Sequence, residues 1–308
     1  MDKISVVVPV YGDKRLVRML YDKLIEILSD MNVTYEIIFV NDCCPYGSGD
    51  EIEKLAKEDY NVKFIDLSRN FGQHYAIKAG LDNATGDYTI VMDCDLQDNP
   101  KNIKLLYEKA KEGNDVVLGF QTEYQINPIK RFFSDFAHYM TEIFMNFPIK
   151  KGVGTLSIIS SKVLKEIQNF NEQNFVYMCV ISWLGYKPAY VEIIKEERKA
   201  GKSGYNFIKN VKLLFNMLIS NSNNPLIYFT VACSFLMFLF SLVLIFKLII
   251  EYYFLAKPLA GWTSLICSIF FVGGVLSLSL TILSMYIGQI AYGVRQRPLY
   301  VIKNKMNL

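Results

Sequence analysis

The stretch YTIVMDCDLQDNP, residues 88–100, joins a short apolar run to a group of acids. Tyr88 to Met92 is apolar and rich in β-favouring residues, so we expect a buried strand there. Asp93 and Asp95 follow it and project to the same side of an extended backbone. Their carboxylates, with the neighbouring amide oxygen of Gln97, suit Mg²⁺ or Mn²⁺, and such an ion would hold a diphosphate.

Strand and helix patterns alternate around this segment. The sequence predicts strands at 4–10, 35–42, 62–68, 88–93 and 115–119, and helices at 15–29, 50–57, 74–81 and 101–111. This alternation predicts an α/β fold with a mostly parallel sheet that helices cover on both faces. Ligands bind such sheets at the carboxyl ends of the strands. Polar side chains lie at or around the ends of the first four strands: Tyr11, Asp13, Asp42, Asp66, Arg69, Asp93 and Asp95.

Length and composition indicate one medium domain with a membrane anchor. The chain has 308 residues, of which 52% are hydrophobic, and the apolar excess follows Asn224. A net charge of +3 is too small to indicate a nucleic-acid partner, so none is expected. The six cysteines show no paired metal-ligand spacing. We therefore expect reduced thiols in a protein that faces the cytosol.

The carboxyl-terminal third contains two candidate membrane spans. Residues 226–246 and 262–286 are each apolar over roughly the 20 residues that a span needs. Basic residues precede and follow the pair, whereas the link between the spans contains few of them. The positive-inside rule then places both termini in the cytosol, with the protein in the inner or plasma membrane.

Two further membrane contacts are expected. Residues 129–147 place most of their apolar side chains on one face, which favours a helix in the bilayer interface, with a core helix as the alternative. In the second span, small residues recur at steps of three or four and form a stripe. The stripe predicts close helix packing, within the chain or in a homo-oligomer. Its members are Gly273, Ser277, Thr281, Ser284 and Gly288.

Four blocks of the sequence form a recognisable combination: PVYGD (9–13), VNDCCPYGSGD (40–50), LSRNFGQHYAIKAGLDNATGDY (67–88) and MDCDLQDNP (92–100). In these blocks the chain resembles family 2 glycosyltransferases of the GT-A fold, and most closely the membrane-anchored polyprenyl-phosphate branch that includes dolichyl-phosphate mannose synthase. The resemblance implies an inverting transfer of one sugar from a nucleotide-sugar, with a divalent metal.

The resemblance also implies roles for individual residues. Asp95 and Gln97 would hold Mg²⁺ or Mn²⁺ on the donor diphosphate. The nucleotide-sugar would contact Pro9, Tyr11, Asp13, Asp42, Arg69 and Asp93. The candidate catalytic residues are Asp93, Asp95, Gln97 and Asp98.

A later segment resembles the family's flexible Arg-x-x-Gly-x-Ser acceptor segment. It reads RKAGKSGY at 198–205, and its cations can meet the phosphate of a lipid carrier. The candidate acceptor-phosphate residues are Arg131, Arg198, Lys202, Ser203 and Tyr205.

Three positions depart from the family pattern. Gly12-Asp13 replaces the frequent Asn-Glu, Gly119-Phe120-Gln121 lacks the cation of Gly-x-Arg, and GVGTLSI (152–158) lacks an acid. These positions generally touch the sugar or the acceptor phosphate. The resemblance therefore implies the reaction type but not the identity of the sugar.

The predicted organisation has four parts. Residues 1–200 form a cytosolic GT-A domain, 201–224 a flexible acceptor segment with a juxtamembrane helix, 225–292 two transmembrane helices, and 293–308 a cytosolic basic tail. The expected activity is transfer of a single sugar to a polyprenyl phosphate for cell-surface glycans. Two alternatives stay open: transfer to a hydroxyl of a lipid-linked glycan, with Asp98 as base, and a non-catalytic nucleotide-sugar-binding scaffold.

Overall fold

The computed structural model describes residues 1–121, 150, 152–172, 175–193, 261–294 and 297–308, with isolated positions between 236 and 250. The chain divides into two compact units. One unit comprises Met1–Val211 with Arg297–Leu308, and the other comprises Lys212–Gln296.

The first unit is built on a sheet of eight described strands in the order β7-β5-β6-β4-β1-β2-β3-β8. The strands are β1 (Lys3–Val10), β2 (Thr34–Asn41), β3 (Val62–Leu67), β4 (Tyr88–Val91), β5 (Val116–Phe120), β6 (Val153–Ser160), β7 (Ala189–Glu192) and β8 (Ile302–Met306). Strands β4, β1, β2 and β3 run parallel, as do β5 and β7. Only β6 and β8, among these strands, pair antiparallel. The predicted mostly parallel α/β sheet is confirmed.

Helices pack on both faces of this sheet. In the first unit they are α1 (Lys14–Asp30), α2 (Ser48–Glu58), α3 (Gln73–Asp82), α4 (Asn102–Lys111), α5 (Ser161–Gln168) and α6 (Tyr177–Trp183). Helices α1, α2 and α4 bury their apolar residues in one core, and α3, α5 and α6 bury theirs in a second core on the other face. The alternating strands contribute side chains to both cores, as their period of two requires.

Helix α2 begins earlier than its sequence suggests. The pattern predicts a start at Asp50 as the capping residue, but the helix begins at Ser48 with Gly47 as its N-cap. Gly47 has φ 75°, a left-handed conformation that favours glycine. Asp50 lies instead in the first turn, where a negative charge favours the helix dipole.

The end of the chain returns to the first unit. Strand β8 pairs antiparallel with β3, so that Met306 lies opposite Phe64. The side-chain amide of Asn307 donates hydrogen bonds to the carbonyl oxygens of Ala56 and Val62, at 2.7 and 2.9 Å. Residues 302–306 therefore form the edge of the sheet. The sequence-based prediction of a separate basic tail at 293–308 did not include this strand.

The second unit contains α7, residues Trp262–Val294. This helix includes the predicted second span. The structure does not describe the side chains of Ser277, Thr281 and Ser284 in the small-residue stripe, so the predicted close packing stays a prediction. Over the residues that the structure describes, no helix is both long and apolar enough to cross a membrane. The predicted interfacial helix at 129–147 and most of 226–246 lie outside the described residues. The hairpin stays a prediction.

Candidate active site

The carboxyl ends of β4, β1, β2 and β3 lie side by side at one edge of the sheet, because these neighbouring strands are parallel. The chain leaves each strand with a polar or aromatic side chain that the sequence predicts as part of a site. These are Tyr11 after β1, Asp42 after β2, Arg69 after β3, and Asp93 and Asp95 after β4. The fold thus brings residues distant in sequence to one edge, as expected for an α/β ligand site.

Asp42 fixes the segment that leads into α3. Its carboxylate, only 2% exposed, accepts hydrogen bonds from the backbone N–H groups of Phe71 and Gly72, at 2.7 and 2.9 Å. Burial raises the pKa of Asp42, and the two N–H donors oppose that rise. Gly72, the N-cap of α3, has φ 105°, a conformation that L side chains rarely adopt. Asp42 thereby positions the start of the helix.

The same helix start orients Asp93. Gln73, the first residue of α3, donates a hydrogen bond from Nε2 to Oδ1 of Asp93 at 2.6 Å. Residues 71–73 therefore connect the acid after β2 with the first acid after β4. Gln73 was not among the predicted site residues, although it lies within the 67–88 motif, because nothing local in the sequence indicates its contact with Asp93.

Asp95 and Gln97 form the predicted metal-binding pair. Oδ1 of Asp95 accepts a hydrogen bond from the backbone N–H of Gln97 at 3.1 Å. Leu96 between them has φ 58°, so the backbone turns sharply at this point. The described residues contain no group of three or more His, Cys, Asp or Glu arranged for a metal.

The donor set nevertheless fits a magnesium-like ion. One carboxylate and one amide supply hard oxygens, and Mg²⁺ is commonly held by one or two carboxylates together with substrate phosphates. The pair Asp95 and Gln97 matches an ion shared with a bound diphosphate rather than one held by protein alone. Asp98, the predicted base for a hydroxyl acceptor, is only 2% exposed.

Two exposed aromatic rings stand beside the ends of β1 and β2. Tyr11 and Tyr46 are 55% and 62% exposed, and their rings meet edge to face with centroids 6.4 Å apart. Exposed aromatic faces can stack on a nucleobase. Tyr11 was predicted from the sequence. Tyr46 was not, because its only signal is its place in the turn-rich segment after β2. Pro9 is buried within β1, opposite Val40 of β2.

Two other predicted nucleotide-binding residues have local partners. Asp13 is the N-cap of α1 and accepts a hydrogen bond from the backbone N–H of Arg15 at 2.9 Å. Hydrogen bonds from the Arg15 side chain and backbone hold the pKa of Asp13 at about 2. The guanidinium carbon of Arg69 lies 4.6 Å from the ring centroid of Phe71. Contact of either residue with a nucleotide stays a prediction.

The remaining predictions concern the acceptor and the thiols. Arg131, Arg198, Lys202, Ser203 and Tyr205, the candidate acceptor-phosphate residues, lie outside the described residues. The described cysteines are free thiols, as expected: Cys43, Cys44, Cys94 and Cys179.

Known proteins are similar to this chain in sequence and in fold. Residues 5–194 match the family described as Glycosyl transferase family 2. The uncharacterized glycosyltransferase YkcC of Bacillus subtilis (strain 168) is 32% identical, covering 99% of this chain and 94% of its own. The bactoprenol glucosyl transferase of Shigella phage SfV is 32% identical, covering 98% and 99%.

A solved structure confirms the fold independently. Mannosyl-3-phosphoglycerate synthase from Rubrobacter xylanophilus superimposes with a TM-score of 0.52 at 12% identity, covering 70% of this chain and 72% of its own. Because the family match spans residues 5–194 of 308 and the relatives align over almost the whole chain, this protein has a GT-A-like fold and belongs to glycosyl transferase family 2; it is a glycosyltransferase.

Proposed function

We propose that the protein transfers a single sugar, with inversion, from a nucleotide-sugar to a polyprenyl phosphate at the cytosolic face of a membrane. The observation that carries the donor half is the pair of acids after β4, in which Gln73 orients Asp93 and the Gln97 backbone contacts Asp95. The acceptor half is supported by the nearly full-length similarity to the bactoprenol glucosyl transferase of Shigella phage SfV.

The nucleotide-sugar donor lies along the edge of the sheet that is formed by the carboxyl ends of β1 to β4. Its nucleoside lies at the ends of β1, β2 and β3, near Tyr11 and Asp42, and its diphosphate lies at the end of β4. Asp95 and Gln97 would hold Mg²⁺ or Mn²⁺ there. When bound, the ion supplies positive charge that stabilises the departing diphosphate.

The chemistry requires positioning more than proton transfer. An oxygen of the acceptor phosphate attacks the anomeric carbon and forms the new bond. The bond between that carbon and the nucleoside diphosphate breaks, and its electron pair leaves on the diphosphate oxygen. A phosphate monoester has a second pKa of about 6, so its nucleophilic oxygen is already ionised near neutral pH. Correct placement of the two substrates then supplies much of the rate.

The buried position of Asp98 favours a phosphate acceptor. A sugar hydroxyl would need a carboxylate base within hydrogen-bonding distance, and Asp98 is only 2% exposed. Transfer to a hydroxyl of a lipid-linked glycan is therefore the second candidate. The non-catalytic scaffold is not retained, because the family and its relatives identify a glycosyltransferase.

Membrane attachment completes the proposal. The apolar segments 226–246 and 262–286 would anchor the protein as a hairpin, with both termini in the cytosol. The small residues of α7 would pack against the other span or against a second subunit. This arrangement brings a water-soluble donor and a lipid acceptor to one enzyme.

Replacing Gln73 by Leu should slow transfer about tenfold, because a tenfold change corresponds to about 1.4 kcal/mol, which is roughly the contribution of one hydrogen bond. Asp93 then loses the donor that orients its carboxylate. Gln73→Glu should slow transfer further, because a second carboxylate would face Asp93. Initial rates at saturating acceptor measure both effects, and thermal melting checks that the fold is kept. Wild-type rates in both variants would show that Asp93 needs no such orientation.

Replacing Arg198 or Lys202 by Ala should raise the KM for polyprenyl phosphate roughly tenfold and leave the KM for the nucleotide-sugar unchanged. Each substitution removes a cation that would pair with the acceptor phosphate. Lys54→Ala is the control, since Lys54 is exposed and lies 3.9 Å from Glu51 on α2. Steady-state kinetics with each substrate varied in turn give both constants. An increase in the donor KM alone would show that these residues do not contact the acceptor.

A further inference from the structure

Lys150 occupies the same edge of the sheet as the candidate active site, beside the end of β5. The backbone N–H of Gln121 donates to the carbonyl oxygen of Gly152 at 2.9 Å, and that of Val153 donates to the carbonyl oxygen of Lys150 at 3.3 Å. Gly152 has φ 84°, and a Cβ there would lie 2.2 Å from the Gln121 oxygen. Glycine is therefore required in the turn that carries Lys150 to the end of β5.

Aromatic rings hold the Lys150 ammonium in place. Its Nζ lies 3.3 Å from the ring centroid of Phe120 and 5.7 Å from that of Tyr190. The two rings meet edge to face, with centroids 6.3 Å apart. No described carboxylate forms an ion pair with Lys150. A π face attracts an ammonium group without neutralising its charge, so the cation is held at a fixed place with its charge available to an anion.

The position of Lys150 relative to the acids follows from the order of the strands. Strand β5 lies two places from β4, with β6 between them, which is a lateral separation of roughly 10 Å. Tyr190 packs against the core on the α3 face, and the first residue of α3 contacts Asp93. Lys150 and Asp93 thus belong to one edge and one face of the sheet.

The order of the substrate groups along this edge indicates what Lys150 meets. With the nucleoside at β1 to β3 and the diphosphate at β4, the sugar and then the acceptor continue toward β6 and β5. This order rests on the proposed function. Gln121, the next residue after β5, contributes no charge there. A cation beyond the sugar is placed for an anionic acceptor rather than for the donor diphosphate.

We propose that Lys150 binds the phosphate group of the lipid acceptor and positions its attacking oxygen, while Phe120 and Tyr190 hold the ammonium group in place. Lys150 then contributes to the selection of a phosphate over a hydroxyl acceptor. The lysine acts from the turn before β6, next to the positions 119–121 and 152–158 where the family pattern is missing, and it supplies the cation that Gly119-Phe120-Gln121 lacks.

Kinetic analysis of four variants tests this assignment. Lys150→Gln should raise the KM for polyprenyl phosphate roughly ten- to a hundredfold, the loss expected for one charge-assisted contact, with the donor KM unchanged. Lys150→Arg should stay within about threefold of wild type, because it keeps the charge and the π contact. Phe120→Leu should give an intermediate rise, since the cation loses its support.

A matched control is available at the opposite edge of the sheet. Lys162 lies 5.1 Å over the ring of Tyr186 and near Asp115, which precedes β5. Lys162→Gln removes another lysine that lies over an aromatic ring, and it should leave both KM values unchanged. If Lys150→Gln matches this control, or if it raises the donor KM instead, the proposed acceptor contact is wrong.

Direct binding separates this inference from the proposed function. Wild-type protein without donor should bind farnesyl phosphate more tightly than farnesol in calorimetry, and Lys150→Gln should lose that preference. If the preference depends on Lys150 but polyprenyl phosphate is never glycosylated, the contact between Lys150 and the phosphate is supported and the proposed function is wrong. If wild type and Lys150→Gln transfer sugar to polyprenyl phosphate equally well, the proposed function is supported and the contact between Lys150 and the phosphate is wrong.

Discussion

Asp95→Asn should reduce sugar transfer by at least roughly 10²–10³-fold, the scale on which enzymes lose rate when one electrostatic contact to the developing charge is removed. Asp95 lies after β4 and provides the charged oxygen of the proposed metal-binding pair. Asparagine has nearly the same shape and can still accept the hydrogen bond from the Gln97 N–H. Folding should therefore be retained, and the loss should appear in transfer rate and not in melting temperature.

The same account predicts the effect of removing the metal. EDTA should silence the wild-type enzyme, and added Mg²⁺ or Mn²⁺ should restore it. Asp22→Asn is the control for the substitution, because Asp22 is exposed on α1 and only pairs with Arg18 at 3.3 Å. Product formation over time measures all of these effects. Full turnover in EDTA, or by Asp95→Asn, would exclude a metal-bound diphosphate at this site.

Glu36→Gln should lower the free energy of unfolding by about 3–5 kcal/mol, as expected when one partner leaves a buried ion pair. Glu36 is 2% exposed in β2. Its carboxylate lies 2.8 Å from Nζ of Lys3 and 2.6 Å from Nζ of Lys63. It also accepts hydrogen bonds from the Ser5 hydroxyl at 2.5 Å and the Thr85 backbone N–H at 2.8 Å. Glutamine would leave both lysines without a counter-charge.

The pH dependence of unfolding gives a second signature. Burial raises the pKa of Glu36, but the hydrogen bonds from Lys3, Lys63, Ser5 and Thr85 outweigh it and hold the pKa at about 2, below the usual 4.5. A depressed pKa contributes stability above the unfolded value, and that contribution is lost as pH falls. The difference between wild type and Glu36→Gln should therefore shrink between about pH 4.5 and 2.

Denaturant unfolding at several pH values measures this contribution. Glu53→Gln is the matched control, since Glu53 pairs with Lys57 at 2.7 Å on the exposed face of α2. Surface pairs of this kind contribute about 0–1 kcal/mol, so the control should remain close to wild type. Equal stability of Glu36→Gln and Glu53→Gln at neutral pH would refute the buried network.

The sequence predicted the parts of the fold that depend on local patterns. The buried residues of α1 recur at steps of three and four from Val17 to Leu28, and the first four strands are short apolar runs. Each pattern lies within one segment, so periodicity identifies it. The shared edge of Asp42 and Asp93 then followed from the general topology of parallel sheets.

Contacts between distant segments were beyond such reasoning. Strand β8 has the sequence IKNKM, which has little β-propensity of its own; pairing with β3 defines it. The Gln73 amide meets Asp93 only because α3 packs on β1 and β2, and β4 is the neighbour of β1 in the sheet. Lys150 meets Phe120 through a turn that depends on Gly152, and each residue by itself reads as an ordinary surface or strand residue.

Product analysis after incubation with polyprenyl phosphate and a panel of nucleotide-sugars identifies the acceptor group directly. Mass spectrometry and anomeric NMR would identify the product and the configuration of its new bond. We expect polyprenyl phosphate to be consumed and one sugar to be joined through its anomeric carbon to the lipid phosphate, with inversion. A product with a glycosidic bond to a sugar hydroxyl, formed while polyprenyl phosphate stays unconsumed, would contradict it.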